Sequence, residues 1–210
     1  MRRCTVILIS LLTLAVPAKV WGEKAAGILS PADIQERYQE AADEWPEIPE
    51  WVLLAFAAPL DRRFFDKKPH FSRVTGTVTG WHVQPGAGRL QSYATAYIIG
   101  QALSHHQILT WHVNQVFLGQ GCFGVSGAAM AYFGKTAEEL TLGEAAYLAG
   151  LPIAPAVFHP FRSYERAVQR RNFALGEILK AGFIIKSEAT AAMGKPLIVR
   201  DPLGTCGSRG

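Results

Sequence analysis

Leu103 to Pro160 reads LSHHQILTWHVNQVFLGQGCFGVSGAAMAYFGKTAEELTLGEAAYLAGLPIAPAVFHP. Helix punctuation runs through it. Ser104 is a capping residue ahead of an apolar-periodic run from Ile108 to Val116. Gly119 to Gly124 is a glycine-rich turn. A helix is expected from about Val125 to Tyr132, stopped at Gly134, where glycine takes the left-handed conformation at no steric cost. Thr141-Leu142-Gly143-Glu144 has the spacing of a capping box, opening a helix over Ala145 to Gly150. Glu144 is therefore read as a reciprocal cap and not as a catalytic acid.

Working outward, Ser30-Pro31-Ala32-Asp33 is a second helix start, with a serine cap, proline at the first helical position and an acid in the first turn. That helix is expected to run to about Glu44 and to end at Trp45-Pro46. Ile48-Pro49 opens another, from Glu50 to about Ala58, with Pro59 as its stop. Residues 66–88 are rich in Gly, Pro, Thr and Val and lack a period; they read as loop with a short strand around Val74 to Val78. Arg89 to Gly119 is expected to form two helices broken near Ser104. Ser163 is expected to cap a helix with an apolar stripe at Tyr164, Ala167, Val168, Leu175, Ile178 and Leu179, ended by Gly182. Ser187 starts a short last helix to Met193.

The chain has 210 residues, enough for one domain with a real core. Hydrophobic residues make up 49% and charged residues 18%, which excludes global disorder. The formal charge of +4 is concentrated at the front. Without Arg2, Arg3 and Lys19, 18 basic side chains face 17 acidic ones. No basic stripe is left for nucleic acid. Residues 1–22 read as a secretory signal: Arg2 and Arg3, then an uncharged run from Thr5 to Val16 that is short for a bilayer span, with cleavage expected before Glu23 or after Ala18. An uncleaved anchor is the alternative. Cys4 leaves with that segment. Cys122 and Cys206 then either bridge or remain a buried thiol and a tail thiol. His105 and His112 share a helix face, but no third ligand accompanies them, so no metal site is expected. The tail, residues 196–210, is expected to be mobile.

The landmarks Ile108-Leu109, Val113-Asn114, Phe117 to Gly121, Phe123-Gly124-Val125, Tyr132 to Lys135, Leu140-Thr141, Glu144-Ala145-Ala146 and Leu148 to Pro152 form a long ordered series. In it the chain closely resembles the second half of the peptidoglycan glycosyltransferase domain (glycosyltransferase family 51), which polymerises lipid II in penicillin-binding proteins. The resemblance implies a mainly α, lysozyme-like fold with at most a small β element, spanning residues 30–195. It also implies a periplasmic or extracytoplasmic setting, with contact to the membrane surface left open, no cofactor, and lipid II or peptidoglycan glycan and cell-wall synthesis proteins as partners.

The family draws its general base from a Glu-Asp-Arg-Arg-Phe motif. Ala57-Ala58-Pro59-Leu60-Asp61-Arg62-Arg63-Phe64-Phe65 matches it with leucine on the glutamate position. Counting back from Leu103-Ser104 puts Arg89 on a family lysine and Ser92 on a second glutamate. A Gly-Ser-Thr-Gln segment that shapes the donor groove has no counterpart, and residues 70–88 are too few to hold it by roughly two dozen residues. Asp61, Arg62, Arg63, Arg89 and Asn114 remain as candidates. Asp61 is the catalytic base only if activity survives, and its side chain leaves a helix about 100° from that of Leu60. Arg62 and Arg63 either grip a phosphate or glycan carboxylate or cover the helix surface. Asn114 is read as tying a helix end to a loop. The leading expectation is a catalytically impaired, exported relative that binds glycan or a partner. The alternatives are an active lipid II glycosyltransferase and a gene with residues 66–92 out of frame.

Overall fold

The computed structural model describes residues 29–207. The expected signal segment, residues 1–22, lies outside them. In chain order the helices are α1 (Pro31–Ala42), α2 (Glu50–Asp61), α3 (Arg73–Gly80), α4 (Arg89–Ala102), α5 (His105–Gln115), α6 (Val125–Phe133), α7 (Leu142–Gly150), α8 (Tyr164–Lys180) and α9 (Lys186–Gly194). Short 3-10 turns occupy Phe64–Asp66, Pro69–Phe71 and Leu151–Ile153. Among the described residues the β content is one isolated antiparallel bridge, Phe117 to Phe123. The mainly α expectation holds.

The caps fall where the sequence puts them. Ser30 and Asp33, Ser104 and Gln107, and Thr141 and Glu144 each form reciprocal capping boxes. Gly134 ends α6 at φ 67°. Gly124 stands at φ 80°, and a Cβ there would strike the Asn114 carbonyl oxygen, so glycine is required on both counts.

α2, α7 and α8 pack on one another at the centre. Small residues make the close approach: Ala55, Ala57 and Ala58 on α2, and Ala145, Ala146, Ala149 and Gly150 on α7, are all buried. Phe56, Tyr132, Tyr147, Leu148 and Leu175 fill the volume around them. α3, α4 and α5 pack together beside this unit, and α1 lies across α4 and α5.

Several expectations need correction. Residues 73–80 form a helix, not a loop or strand. The Ser72 Oγ accepts from the Val74 N–H at 3.0 Å, and Val74, Thr75, Val78 and Thr79 bury one face. Burial of that face overrides the poor helix propensity of Gly and Thr. Pro59 does not stop α2, which continues to Asp61. A proline this near the C-terminus removes a single ladder bond, and the next turn is held from outside through Asp61. Ser163 occupies the cap position of α8 without a side-chain cap bond. α9 begins at Lys186, where the Glu188 carboxylate accepts from the Ile185 N–H at 2.9 Å. The stripe on α8 includes an unexpected buried cation: the Arg171 guanidinium donates to the carbonyls of Lys195 (2.7 Å) and Met193 (3.0 Å), fastening the end of α9.

The described part of the tail is hydrogen-bonded to α6 and to the glycine turn. The N–H groups of Arg200, Gly204 and Cys206 donate to the carbonyls of Tyr132, Ala131 and Gln120 at 2.9, 2.8 and 3.0 Å. Cys122 and Cys206 are disulfide-bonded with Cα atoms 4.8 Å apart, which resolves the alternative that the sequence left open.

Candidate functional site

The expected catalytic motif lies where α2 ends. Leu60 is half-buried and lines a crevice with Phe56, Pro59, His112, Ala149 and Arg170. The free volume is about 10 Å³, room for about one water. No Asp or Glu lines it. His112 is 1% exposed, and its Nδ1 is buried without a partner. Burial pushes the imidazole down to about 4, so it is neutral at neutral pH. Arg170 donates from Nε to the Gly150 carbonyl at 2.7 Å and lies over the rings of Phe158 and Phe173, at 5.5 and 4.8 Å.

Asp61 turns away from this crevice into structural contacts. Its side chain is 6% exposed and its Oδ2 lies 2.9 Å from Lys67 Nζ. The same oxygen accepts from the Arg73 N–H at 3.0 Å, at the start of α3. Burial pushes its carboxyl up. The hydrogen bonds from Lys67 and the Arg73 backbone, together with the Lys67 charge, outweigh that and hold it below the usual carboxylate value. A carboxylate so held is a weak proton acceptor.

The neighbouring cations are differently placed. Arg62 Nη1 is 3.5 Å from Glu177 Oε2, and that glutamate also binds Lys180 at 2.8 Å. Arg63 pairs loosely with Asp66 at 3.8 Å and is 73% exposed. Both remain in reach of solvent, where a phosphate or carboxylate can compete for them. Phe64 is buried, while Phe65 leans on His105 and Phe183.

Asp61, Arg62 and Arg63 are thus consecutive at one helix end. Arg89 is exposed at the start of α4, and Ser92 donates its hydroxyl to the Gly88 carbonyl at 3.3 Å. Asn114 is buried, and its Nδ2 donates to the Thr110 carbonyl at 3.0 Å within its own helix. It does not tie a loop through its side chain; the close approach to the glycine turn is made by its backbone carbonyl. His105 and His112 do not converge either. His105 lies 2.8 Å from the Lys67 carbonyl, whereas His112 is stacked on Trp81 at 6.2 Å and 8°.

Lys67, the Arg73 amide, His112 and Arg170 complete the site, and the sequence singled out none of them for these roles. Lys67 carried a faint signal, since it stands close behind Asp61. Arg170 carried none, because its place depends on how α8 crosses α7.

A family model described as Transglycosylase matches residues 74–179. The match begins downstream of Leu60. Penicillin-binding protein 1A of Aquifex aeolicus is 35% identical over 195 residues, covering 80% of this chain and 26% of that protein. The Escherichia coli penicillin-binding protein 1A is 32% identical over 167 residues, covering 68% of this chain and 20% of the relative. A crystal structure of penicillin-binding protein 1A from Haemophilus influenzae superposes with a TM-score of 0.50 at 30% identity, covering 73% of this chain and 17% of that one. The chain therefore spans about a quarter or less of the length of these relatives. Among the described residues no helix is long and apolar enough to cross a membrane. With the landmark series, the helical architecture and a model match over half its length, this chain belongs to the transglycosylase family of peptidoglycan synthesis.

Proposed function

We propose that this chain is an exported, extracytoplasmic member of the family that has lost lipid II polymerisation and serves to bind cell-wall glycan or a synthesis partner. One observation carries the reading. The crevice at the end of α2 contains no carboxylate, and the adjacent Asp61 is spent on Lys67 and the Arg73 N–H. Glycosyl transfer to a sugar hydroxyl needs a group that takes its proton, and such help is worth roughly 10²–10⁴-fold. Leu60 cannot supply it, and neither can Ser92 at the second glutamate position.

The long alignments support the absence of a groove segment. The alignment with the Aquifex relative runs over 195 positions but covers 80% of this 210-residue chain, about 168 residues, which leaves about 27 positions with no residue here. That agrees with the shortage expected between the two motifs and would remove substrate positioning as well as proton transfer. Arg62 and Arg63 are left to hold an anionic group on a glycan or its carrier.

The test is polymerisation of purified lipid II by the mature chain beside an intact family member. No glycan polymer is expected from this chain, including after the double change Leu60→Glu and Ser92→Glu. Polymer from the unmodified chain would overturn the reading in favour of an active glycosyltransferase.

A further inference from the structure

A second crevice, of about 390 Å³, lies between α1, α5 and the end of α3, and adjoins the Leu60 crevice through His112, against which Trp81 lies. Arg37, Glu40 and Glu44 form its α1 wall. Their spacing along the helix places all three on one face. Trp81, His82 and Trp111 form the opposite wall.

The two walls have different chemistry. Trp81 is stacked nearly parallel on the buried His112, with ring centroids 6.2 Å apart and 8° between planes, and is still 39% exposed. The buried imidazole lies offset beside the indole and leaves one of its faces toward solvent. Trp111 is almost fully buried and closes the floor, edge-on to His82 at 4.8 Å. Arg37 Nη1 lies 3.5 Å from His82 Nδ1. A guanidinium only donates, so Nδ1 accepts and the imidazole carries its proton on Nε2. Burial and the Arg37 charge push His82 down to about 4, so it adds no cation at neutral pH. The charged groups of the crevice are then two carboxylates and one guanidinium. Glu40 and Glu44 make no ion pair among the described residues, and four residues apart on a helix they repel one another. A solvated helix face accounts for the carboxylates alone, but not for a part-exposed indole lining the same crevice.

These groups select among ligands. A free anion is repelled by the carboxylate pair. A purely apolar molecule would strip water from both carboxylates without replacing its hydrogen bonds. A quaternary ammonium would find one indole face in place of a cage, with Arg37 opposing it. A pyranose satisfies every group: its C–H face lies on the indole, and its hydroxyl and amide groups donate to Glu40 and Glu44 and accept from Arg37. The volume suits roughly one or two sugar rings, at the small end of ligand pockets.

We propose that this crevice is a saccharide-binding subsite for a short pyranose chain, distinct from Arg62 and Arg63. The proposal deepens the glycan-binding reading above and rests on it. The probe is chitotetraose, titrated into the purified mature chain and followed by tryptophan fluorescence and calorimetry. Saturable binding is expected, weakened at least tenfold by Trp81→Ala and several-fold by the pair Glu40→Gln and Glu44→Gln. Trp81→Phe should keep most of the affinity, because a flat ring remains. The exposed glutamate pair decides the matter if Trp81→Ala disturbs folding. Binding unchanged by the Trp81 and glutamate variants but lost on Arg62→Ala with Arg63→Ala would overturn this subsite and leave glycan binding standing at the α2 end. No binding of chitotetraose would overturn the proposal itself, and choline binding that depends on Trp81, without sugar binding, would replace it with a cation site. Activity on lipid II is read separately, so a failure of the impairment reading leaves this test intact.

Discussion

The stretch from α5 to α8 and the stretch from the end of α2 to α4 belong to one core but were built under different rules. In the first, nearly every turn is fixed by local chemistry: a capping box at Ser104, a left-handed glycine at Gly134, another capping box at Thr141. In the second, side chains and carbonyls outside the helix ends hold the turns: Asp61 binds Lys67 and the Arg73 N–H, His105 meets the Lys67 carbonyl, and Thr75 Oγ1 donates to the Pro69 carbonyl at 2.6 Å. The family's landmarks sit in the locally specified half. Leu60 and Ser92 sit in the half whose turns are held by side chains such as Asp61 and Thr75. A scaffold written in caps and glycines depends on different residues from the end of α2, so the proposed impairment leaves it standing.

The largest effect on stability should come from the one covalent link across this scaffold. The disulfide closes an 84-residue separation. Removing it with Cys206→Ser should cost about 3–4 kcal/mol through the entropy returned to the unfolded chain. Urea unfolding measures this. A change below about 1 kcal/mol would mean that the hydrogen bonds of residues 200–206 alone hold the tail.

Next comes the other half. Asp61→Asn should destabilise by about 2 kcal/mol, since it loses charge-assisted bonds to Lys67 and the Arg73 amide. The pH sign follows from the lowered pKa. The stabilisation by Asp61 is present above its unfolded value, near 3.8, and is lost as pH falls through the lower folded value. The gap between parent and variant should therefore close below about pH 4. A gap that widens in acid would show that Asp61 is not ionised in the folded protein and would return it to the list of catalytic candidates.

The smallest effect is local. Thr141→Ala removes the hydroxyl that accepts from the Glu144 N–H and should cost about 1 kcal/mol in thermal or urea unfolding. Glu144 would keep its 2.7 Å contact with Lys135, which limits the loss. A cost equal to that of Asp61→Asn would blur the contrast between the two halves.

How much was legible follows the same division. Helices α1 and α5 to α7, their caps and the glycine stop at Gly134 could be read from spacing alone, because each signal and its partner lie within four residues. α3 could not: Val74, Thr75, Val78 and Thr79 become a buried face only once α4 and α5 are beside them. Pro59 misled for a related reason, since the turn after it is secured by residues 67 and 73. At the candidate site, the absence of a carboxylate at position 60 was plain from the resemblance. That Asp61 is committed, that His112 shares the crevice of Leu60 and that Arg170 crosses to Gly150 depended on packing between α2, α5, α7 and α8.

The central claim is the proposal that the end of α2, with Leu60 in its crevice and Asp61 bound to Lys67 and Arg73, supplies no base. Glycan polymer formed from lipid II by the unmodified chain and by Asp61→Asn, run side by side, tests it most directly. The account predicts no polymer from either, with Asp61→Asn differing from the parent in stability alone. Clear turnover by the parent that Asp61→Asn abolishes would contradict it, and would make Asp61 a base despite its bonds to Lys67 and Arg73.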